Sequence, residues 1–336
     1  MEKQTFAQFL LDEQRLRGVH DNEFVLLLND IASACKSISR AVGKGALMGV
    51  MGSLESENIQ GETQKQLDVI TNEIFIDVNQ VGGYYAGMAS EEMDEPYEIP
   101  LNHRKNCKYL LLFDPLDGSS NVNVNISVGT IFSILRCPEG ITNPKVKDFL
   151  QAGVKQVCSG YALYGSSTML VVTSGFGVNG FTLDSDVGEF YLTHLNMRIQ
   201  ADTNEFAINM SNQKSWESPI QSYIEDCLQG KNGPRERQFN MRWVASMVAE
   251  VHRILIRGGI FMYPVDSKIQ EKGGKLRLMY EANPMSFIIE QAGGLSTTGR
   301  DRIMDLKPST LHQRVPVIMG SMNEVIVMQS YYANAL

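Results

Sequence analysis

Asp114-Pro115-Leu116-Asp117-Gly118-Ser119-Ser120-Asn121 follows the apolar run Tyr109-Leu110-Leu111-Leu112-Phe113. The run reads as a buried strand. Two carboxylates three residues apart then stand where that strand ends, followed by a glycine and two hydroxyl residues. Carboxylates are hard oxygen ligands suited to Mg²⁺ or Mn²⁺. A Gly-Ser-Ser turn can aim backbone N–H groups at an anion. One short segment therefore combines the ingredients of a metal site and a phosphate site.

Around this segment the chain divides by pattern. Phe24, Leu27, Leu28, Ile31, Cys35, Ile38 and Val42 recur at helical spacing, with Asp21 or Asn22 as a cap and Gly43 and Gly45 as a stop. Gly45 to Gly61 reads as a mobile loop, and Glu62 is expected to open a second helix carrying Leu67, Ile70, Ile74 and Val78. Tyr109 to about Phe190 reads as strands broken by glycines, a mostly antiparallel sheet. Beyond about residue 200 the pattern is α/β: a helix over Val244 to Ile256, a strand over Ile260 to Pro264, another over Lys275 to Tyr280, and a helix with Pro284 as its first residue, ending at Gly293-Gly294. Pattern alone gives an α/β or α+β fold with helices at both ends.

The totals exclude several classes. The 336 residues are 43% hydrophobic and 20% charged, with a net charge of −8, values of a globular chain with no general affinity for nucleic acid. No secretory signal is visible, and no run approaches the ~18 apolar residues of a membrane span, so a cytoplasmic protein with no membrane partner is expected. The five cysteines have neither zinc nor C-x-x-C spacing and read as reduced thiols. No G-x-S-x-G, G-x-G-x-x-G or Walker motif is present.

Other charged residues are ambiguous one by one. Glu91-Glu92 can bridge metal ions, or form a solvated acidic loop. Asp68, within a helix, reads on its own as a surface carboxylate, and Glu62 as a helix-start carboxylate. Glu281 stands at a strand-to-helix transition, where open α/β folds place ligands. Lys275 and Arg277, two apart on the expected strand, would face one side and can hold a phosphate, or can mark a charged edge. Arg242, just before a helix, is a phosphate clamp, an interface residue or simply exposed.

Together these segments resemble class I fructose-1,6-bisphosphatase, within the lithium-sensitive, Mg²⁺-dependent sugar and inositol phosphatases. The resemblance rests on the Asp114–Asn121 octapeptide and on Asn58-Ile59-Gln60-Gly61-Glu62, Ala89-Ser90-Glu91-Glu92, Gly160 to Leu170, Gly258 to Pro264 and Gly274 to Met285, and spans roughly residues 5 to 325. It implies a layered αβαβα sandwich, the sugar phosphatase fold, with residues 1–198 forming N-terminal helices and a large mixed sheet with the metal site. Residues 199–336 would form a C-terminal α/β substrate domain.

The implied reaction is metal-dependent hydrolysis of the 1-phosphate of fructose 1,6-bisphosphate, a gluconeogenic step. Sedoheptulose-1,7-bisphosphatase activity, alone or in addition, is the alternative. The implied metal ligands are Glu91, Glu92, Asp114, Asp117, Glu281 and the Leu116 carbonyl, holding two or three Mg²⁺ or Mn²⁺ per subunit. Asp68 with Glu92 would polarise the attacking water, and Glu62 belongs to a loop closing over the site. Asp117, Gly118, Ser119 and Ser120 match the 1-phosphate site, Arg277 lies near the sugar, and Asn209, Tyr263 and Lys275 match contacts to the 6-phosphate. Arg242 matches a residue reaching into a neighbouring subunit, which implies a homotetramer. A catalytically silent binding protein would have lost a metal ligand, and every carboxylate is present.

The chain also departs from the pattern. Trp243 and Asn212 stand at tyrosine positions of the 6-phosphate site, and Asn123 replaces an aspartate. At the family's AMP site on the first helices, Glu23, Lys108, Tyr109 and Arg136 match, whereas Asp21, Asn22 and Val25 do not. A negative Asp21 near an AMP phosphate implies weakened inhibition.

Overall fold

The computed structural model describes residues 4–18, 21–45, 53–57, 63–104 and 108–335. Five layers stack as helix, sheet, helix, sheet, helix.

The large sheet has eight strands. From one edge they are Glu189–Met197, Val178–Asp184, Thr168–Thr173, Gln156–Tyr164, Val128–Arg136, Tyr109–Asp117, Tyr85–Ser90 and Tyr97–Glu98. Every neighbouring pair is antiparallel except Tyr85–Ser90 with Tyr109–Asp117. Alternation explains how Tyr109–Asp117, an interior strand third from the far edge, is buried on both faces. Tyr109, Leu111 and Phe113 join the core beneath the N-terminal helices, while Leu110 and Leu112 pack with Phe149, Met279 and Tyr280 on the other side.

Three helices cover the first face: Phe6–Arg17, Asn22–Lys44 and Gln66–Val81. Asp21 caps the second through a 2.9 Å bond from the Phe24 amide. The opposite face is covered by Met247–Arg257 and Asn283–Gln291, which also pack on a second sheet. That sheet has five strands, in the order Asn240–Met241, Glu205–Ala207, Ile260–Tyr263, Val317–Gly320 and Leu295–Thr297. Ser218–Leu228 and Met322–Asn334 close its far side around Tyr223, Ile224, Val325 and Met328.

Four local expectations are corrected. Residues 63–65 are extended and pair with Ser53–Glu57, so the helix expected from Glu62 opens at Gln66 and part of the expected loop is a strand. Glu62 itself lies outside the described residues. The helix expected from Val244 opens at Met247, because Ala245 is left-handed (φ 61°) and Ser246 is extended. The strand expected over Lys275 to Tyr280 is confined to Leu276–Arg277, and the chain then winds into a π-turn, Leu278–Ala282, that feeds the Pro284 helix. Among the described residues Cys35, Cys137, Cys158 and Cys227 are free thiols, and no helix is long and apolar enough to cross a membrane.

Candidate active site

The parallel strand pair sets up the site. Parallel pairing places both C-terminal ends at one edge, and Ser90 lies beside Phe113. Glu91 and Asp114, the next residues, are therefore neighbours, and the Glu91 amide donates to the Phe113 carbonyl at 3.0 Å. Ser90 Oγ donates to Asn72 Oδ1 at 2.6 Å and accepts from the Glu92 amide at 3.2 Å, fixing the turn that follows.

A bulge then brings Asp114 and Asp117 together. Asp114 pairs with Ile131 and Asp117 with Gly129, so one strand advances three residues against two. In a regular strand residues i and i+3 point to opposite faces, and one inserted residue restores them to the same side. The Leu116 amide donates to Asp114 Oδ1 at 2.9 Å, and Thr130 Oγ1 donates to the Pro115 carbonyl at 2.8 Å, so the bulge is hydrogen-bonded on both sides. Next, Gly118 is left-handed (φ 76°), and a Cβ there would sit 2.8 Å from Ser246 Oγ. Only glycine suits this turn.

Glu281 completes the cluster. One carboxylate oxygen each from Asp114, Asp117 and Glu281 lie within 4.8 Å of one another, a donor set that can hold a metal ion. Glu281 Oε2 also accepts the Arg277 amide at 2.6 Å, a bond within the π-turn region that aims its side chain at the cluster. The Arg277 guanidinium pairs with Glu91 and lies 3.9 Å from Glu281. Arg277 is thus a buried counter-charge to two carboxylates, rather than the second cation of a charged strand face.

Like charges this close resist ionisation. Burial, with Glu91, Asp117 and Glu281, pushes Asp114 well above the usual carboxylate range. Burial pushes Asp117 up to about 6, against the opposing bond from the Val248 amide. Glu281 rises to about 8 through burial, opposed by Arg277. Glu92 rises to about 8 through burial and its neighbours Glu91 and Asp68. Divalent cations relieve this repulsion, so the chemistry of the donor set fits Mg²⁺ or Mn²⁺.

These residues line one cleft of about 550 Å³. Its lining includes Asp68, Glu91, Glu92, Asp114, Asp117 and Glu281, together with the turn Gly118-Ser119-Ser120. Asn209, Trp243, Tyr263 and Lys275 line the same cleft, with the Trp243 and Tyr263 rings 6.0 Å apart. Asp68, which reads alone as a surface residue, is buried in the first turn of Gln66–Val81, and Glu91 is buried too. Arg242 does not belong to this wall; its half-exposed side chain lies 3.7 Å from Glu205. The segment Ala245-Ser246-Met247, Phe261 and Leu276 also line the cleft and escaped the sequence reading. Ser246 ahead of an apolar helical run is a helix-start signal that locates part of this wall.

A cleft that combines clustered carboxylates with a lysine, a tyrosine and an asparagine has donors for a metal ion and for phosphate groups, the make-up of a metal-assisted phosphate ester hydrolase. The fructose-1,6-bisphosphatase N-terminal domain model matches residues 4–195, and the C-terminal domain model matches residues 199–333. A class 1 fructose-1,6-bisphosphatase of Halorhodospira halophila is 59% identical over 331 residues, 98% of each chain. The holo crystal structure of Leishmania major fructose-1,6-bisphosphatase superposes with a TM-score of 0.91 at 36% identity, covering 99% of this chain and 100% of that one. The apo form gives 0.86 at 34% identity, covering 98% and 99%. The chain belongs to the class 1 fructose-1,6-bisphosphatases, a family of phosphoric monoester hydrolases.

Proposed function

We propose that the chain hydrolyses the 1-phosphate of D-fructose 1,6-bisphosphate, giving D-fructose 6-phosphate and phosphate. The observation that carries this reading is the cleft that the Asp114–Asp117–Glu281 cluster shares with Lys275 and Tyr263. Asp114, Asp117, Glu281, Glu91, Glu92 and the Leu116 carbonyl would hold two or three Mg²⁺ ions. When bound, the metal neutralises the phosphate dianion, lowers the pKa of water and stabilises the leaving sugar oxygen.

The protein groups divide the remaining work. Ser119 and Ser120 at the cleft wall offer hydroxyl donors to the 1-phosphate. Asp68 and Glu92, both lining the cleft, are the carboxylates that take the proton of the attacking water. Water adds to phosphorus, the bond from phosphorus to the C1 oxygen breaks, and that oxygen takes a proton. Arg277, held by Glu91 and Glu281, fixes the floor of the site beside the sugar. Asn209, Tyr263 and Lys275 anchor the retained phosphate, which aligns the reacting end.

The retained-phosphate site carries this chain's own chemistry. Trp243 stacks on Phe261 with rings 6.1 Å apart and 3° from parallel, so its indole N–H is the polar edge at that position. Asn212 Oδ1 accepts from Lys268 Nζ at 3.0 Å. The ratio of kcat/KM on fructose 1,6- and sedoheptulose 1,7-bisphosphate measures what these two residues do to selectivity. Mg²⁺-dependent phosphate release from the fructose ester tests the primary reading, and activity that survives excess EDTA overturns it.

Assembly and regulation follow the same lines. The large sheet ends at Met197 and the second sheet begins at Glu205, which supports a division at residues 198 and 199. The half-exposed Arg242 supports a homotetramer in which it serves a neighbouring site. At the effector position Lys108 Nζ is held by Asp21 at 2.9 Å and Glu23 at 2.7 Å, which supports weak AMP inhibition. A cytoplasmic location suits this metabolic role.

A further inference from the structure

Segment 243–246 forms one wall of the cleft, yet its backbone belongs to no regular element. It starts where the Arg242 amide donates to the Phe206 carbonyl at 2.8 Å and ends where Met247 opens a helix. Ala245 is left-handed (φ 61°) without being glycine, a conformation that persists only when neighbours enforce it. Ser246, the helix N-cap residue, does not cap its own helix. Its hydroxyl lies 3.3 Å from Asp117 Oδ2, which also accepts the Val248 amide at 2.8 Å. The segment therefore orients a carboxylate of the acidic cluster while carrying Trp243 on the cleft wall.

Two bonds hold this strained segment. Asn121 Nδ2 donates to the Ala245 carbonyl at 2.9 Å. Glu250 Oε1 accepts the Val244 amide at 2.6 Å, reaching back past the helix start. Glu250 is fully buried. Its other oxygen receives Arg253 Nη2 at 3.0 Å and Nε at 3.2 Å, and Arg253 Nη1 continues to the buried Glu205 at 2.7 Å. Arg257 and Arg242 complete the surroundings of Glu205, at 2.8 and 3.7 Å. A buried charged chain ending on one backbone N–H is costly unless its geometry is used.

We propose that Glu250 is a positioning residue for the hydrolytic site: braced by Arg253 and Glu205, it fixes segment 243–246 and so places Trp243 and orients Asp117. The proposal rests on the hydrolase reading above, but its main readout does not. Trp216 and Trp243 are the only two tryptophans, so Trp216→Phe leaves Trp243 as a sole reporter.

The deciding comparison, in that background, is Glu250→Asp against Glu250→Gln. Asp keeps the charge facing Arg253 but falls one methylene short of Val244, whereas Gln keeps the reach and an acceptor. Reach is what positioning requires. Glu250→Asp is expected to raise KM for fructose 1,6-bisphosphate about tenfold, the worth of one buried hydrogen bond, and to expose Trp243 to acrylamide quenching. Glu250→Gln keeps the acceptor for the Val244 amide but turns an N–H₂ group toward Arg253, so it is expected to raise KM and quenching by less than Glu250→Asp does. Wild-type KM and quenching in Glu250→Asp overturn the proposal, as does a larger loss in Glu250→Gln than in Glu250→Asp, which would make charge the relevant property. A parent enzyme that quenches normally but releases no phosphate would instead sink the hydrolase reading.

Discussion

Asp117 Oδ2 accepts the Val248 amide at 2.8 Å, joining positions 131 residues apart in sequence. The bond ties the end of the large sheet to the first turn of a helix that packs on both sheets. Asp117 thereby serves two purposes. It belongs to the carboxylate cluster that could hold a metal ion, and it occupies the anion position at a helix N-terminus. In Mg²⁺, which relieves the repulsion within the cluster, Asp117→Ala is therefore expected to cost stability as well as chemistry: roughly 1 kcal/mol from the lost cap, and activity reduced by about a thousandfold or more. Urea unfolding and phosphate-release assays on the same preparation measure both.

The cluster also predicts linkage between metal and stability. Asp114, Asp117 and Glu281 lie within 4.8 Å, so a bound cation relieves repulsion that the free protein bears. Mg²⁺ at about a hundred times its dissociation constant should stabilise the fold by roughly 3 kcal/mol. Thermal melts with Mg²⁺ and with EDTA read this directly. Glu281→Gln should shrink the Mg²⁺-induced shift in Tm, because an amide oxygen is a weaker ligand for the cation than a carboxylate. An unchanged shift in that variant would remove Glu281 from the ligand set.

Much of this site was legible in the sequence because its strongest signals are local. Asp114 and Asp117 sit in one octapeptide after a run of five apolar residues, and the apolar run does form a buried interior strand. Glu91, Asp68 and Glu281 were ambiguous from local pattern alone, since burial depends on what packs over them. The parallel register that sets Glu91 beside Asp114 is a long-range property with no local signature. The bulge at Pro115-Leu116 and the left-handed Ala245 likewise arise from tertiary hydrogen bonds, from Thr130 and Asn121. Arg277 shows the limit most plainly: strand alternation suggested a phosphate-facing cation, and the π-turn beside it turned the guanidinium onto two carboxylates.

The N-terminal helix pair carries a regulatory expectation. Lys108 is shared between Asp21 and Glu23, and Asp21 also caps its helix. Bonds to Glu23 and Asp21 push the Lys108 ammonium upward, so it stays charged and engaged. An anionic nucleotide must displace Asp21 to reach it. AMP inhibition is expected to strengthen about tenfold in Asp21→Ser, which keeps a capping hydroxyl but removes the charge. Dose–response curves for AMP on both proteins check this, and equal curves would mean that Asp21 has no part in effector binding.

His252 gives a pH dependence remote from the carboxylate cluster. Tyr161 Oη and His252 Nδ1 lie 2.8 Å apart inside the helix–sheet core. Burial, with a smaller contribution from His194, pushes the imidazole down to about 4. The folded value lies below the unfolded one, so the folded state binds fewer protons once the pH drops under the unfolded value of about 6.5. Stability is then lost as pH falls from about 6.5 toward 4, by roughly 2 kcal/mol between about pH 7 and pH 5. Above about pH 7 this group contributes no slope. His252→Gln should flatten the decline in urea-unfolding free energy over that window.

The central claim is that carboxylates from both halves of the chain assemble one metal-dependent phosphatase site. Its most direct test is phosphate release from fructose 1,6-bisphosphate by the wild-type protein and Asp117→Asn, each with Mg²⁺ and with excess EDTA. The account predicts rapid release only from wild type with Mg²⁺, with the other three conditions near background. Equal release from wild type in EDTA, or from Asp117→Asn with Mg²⁺, would contradict it.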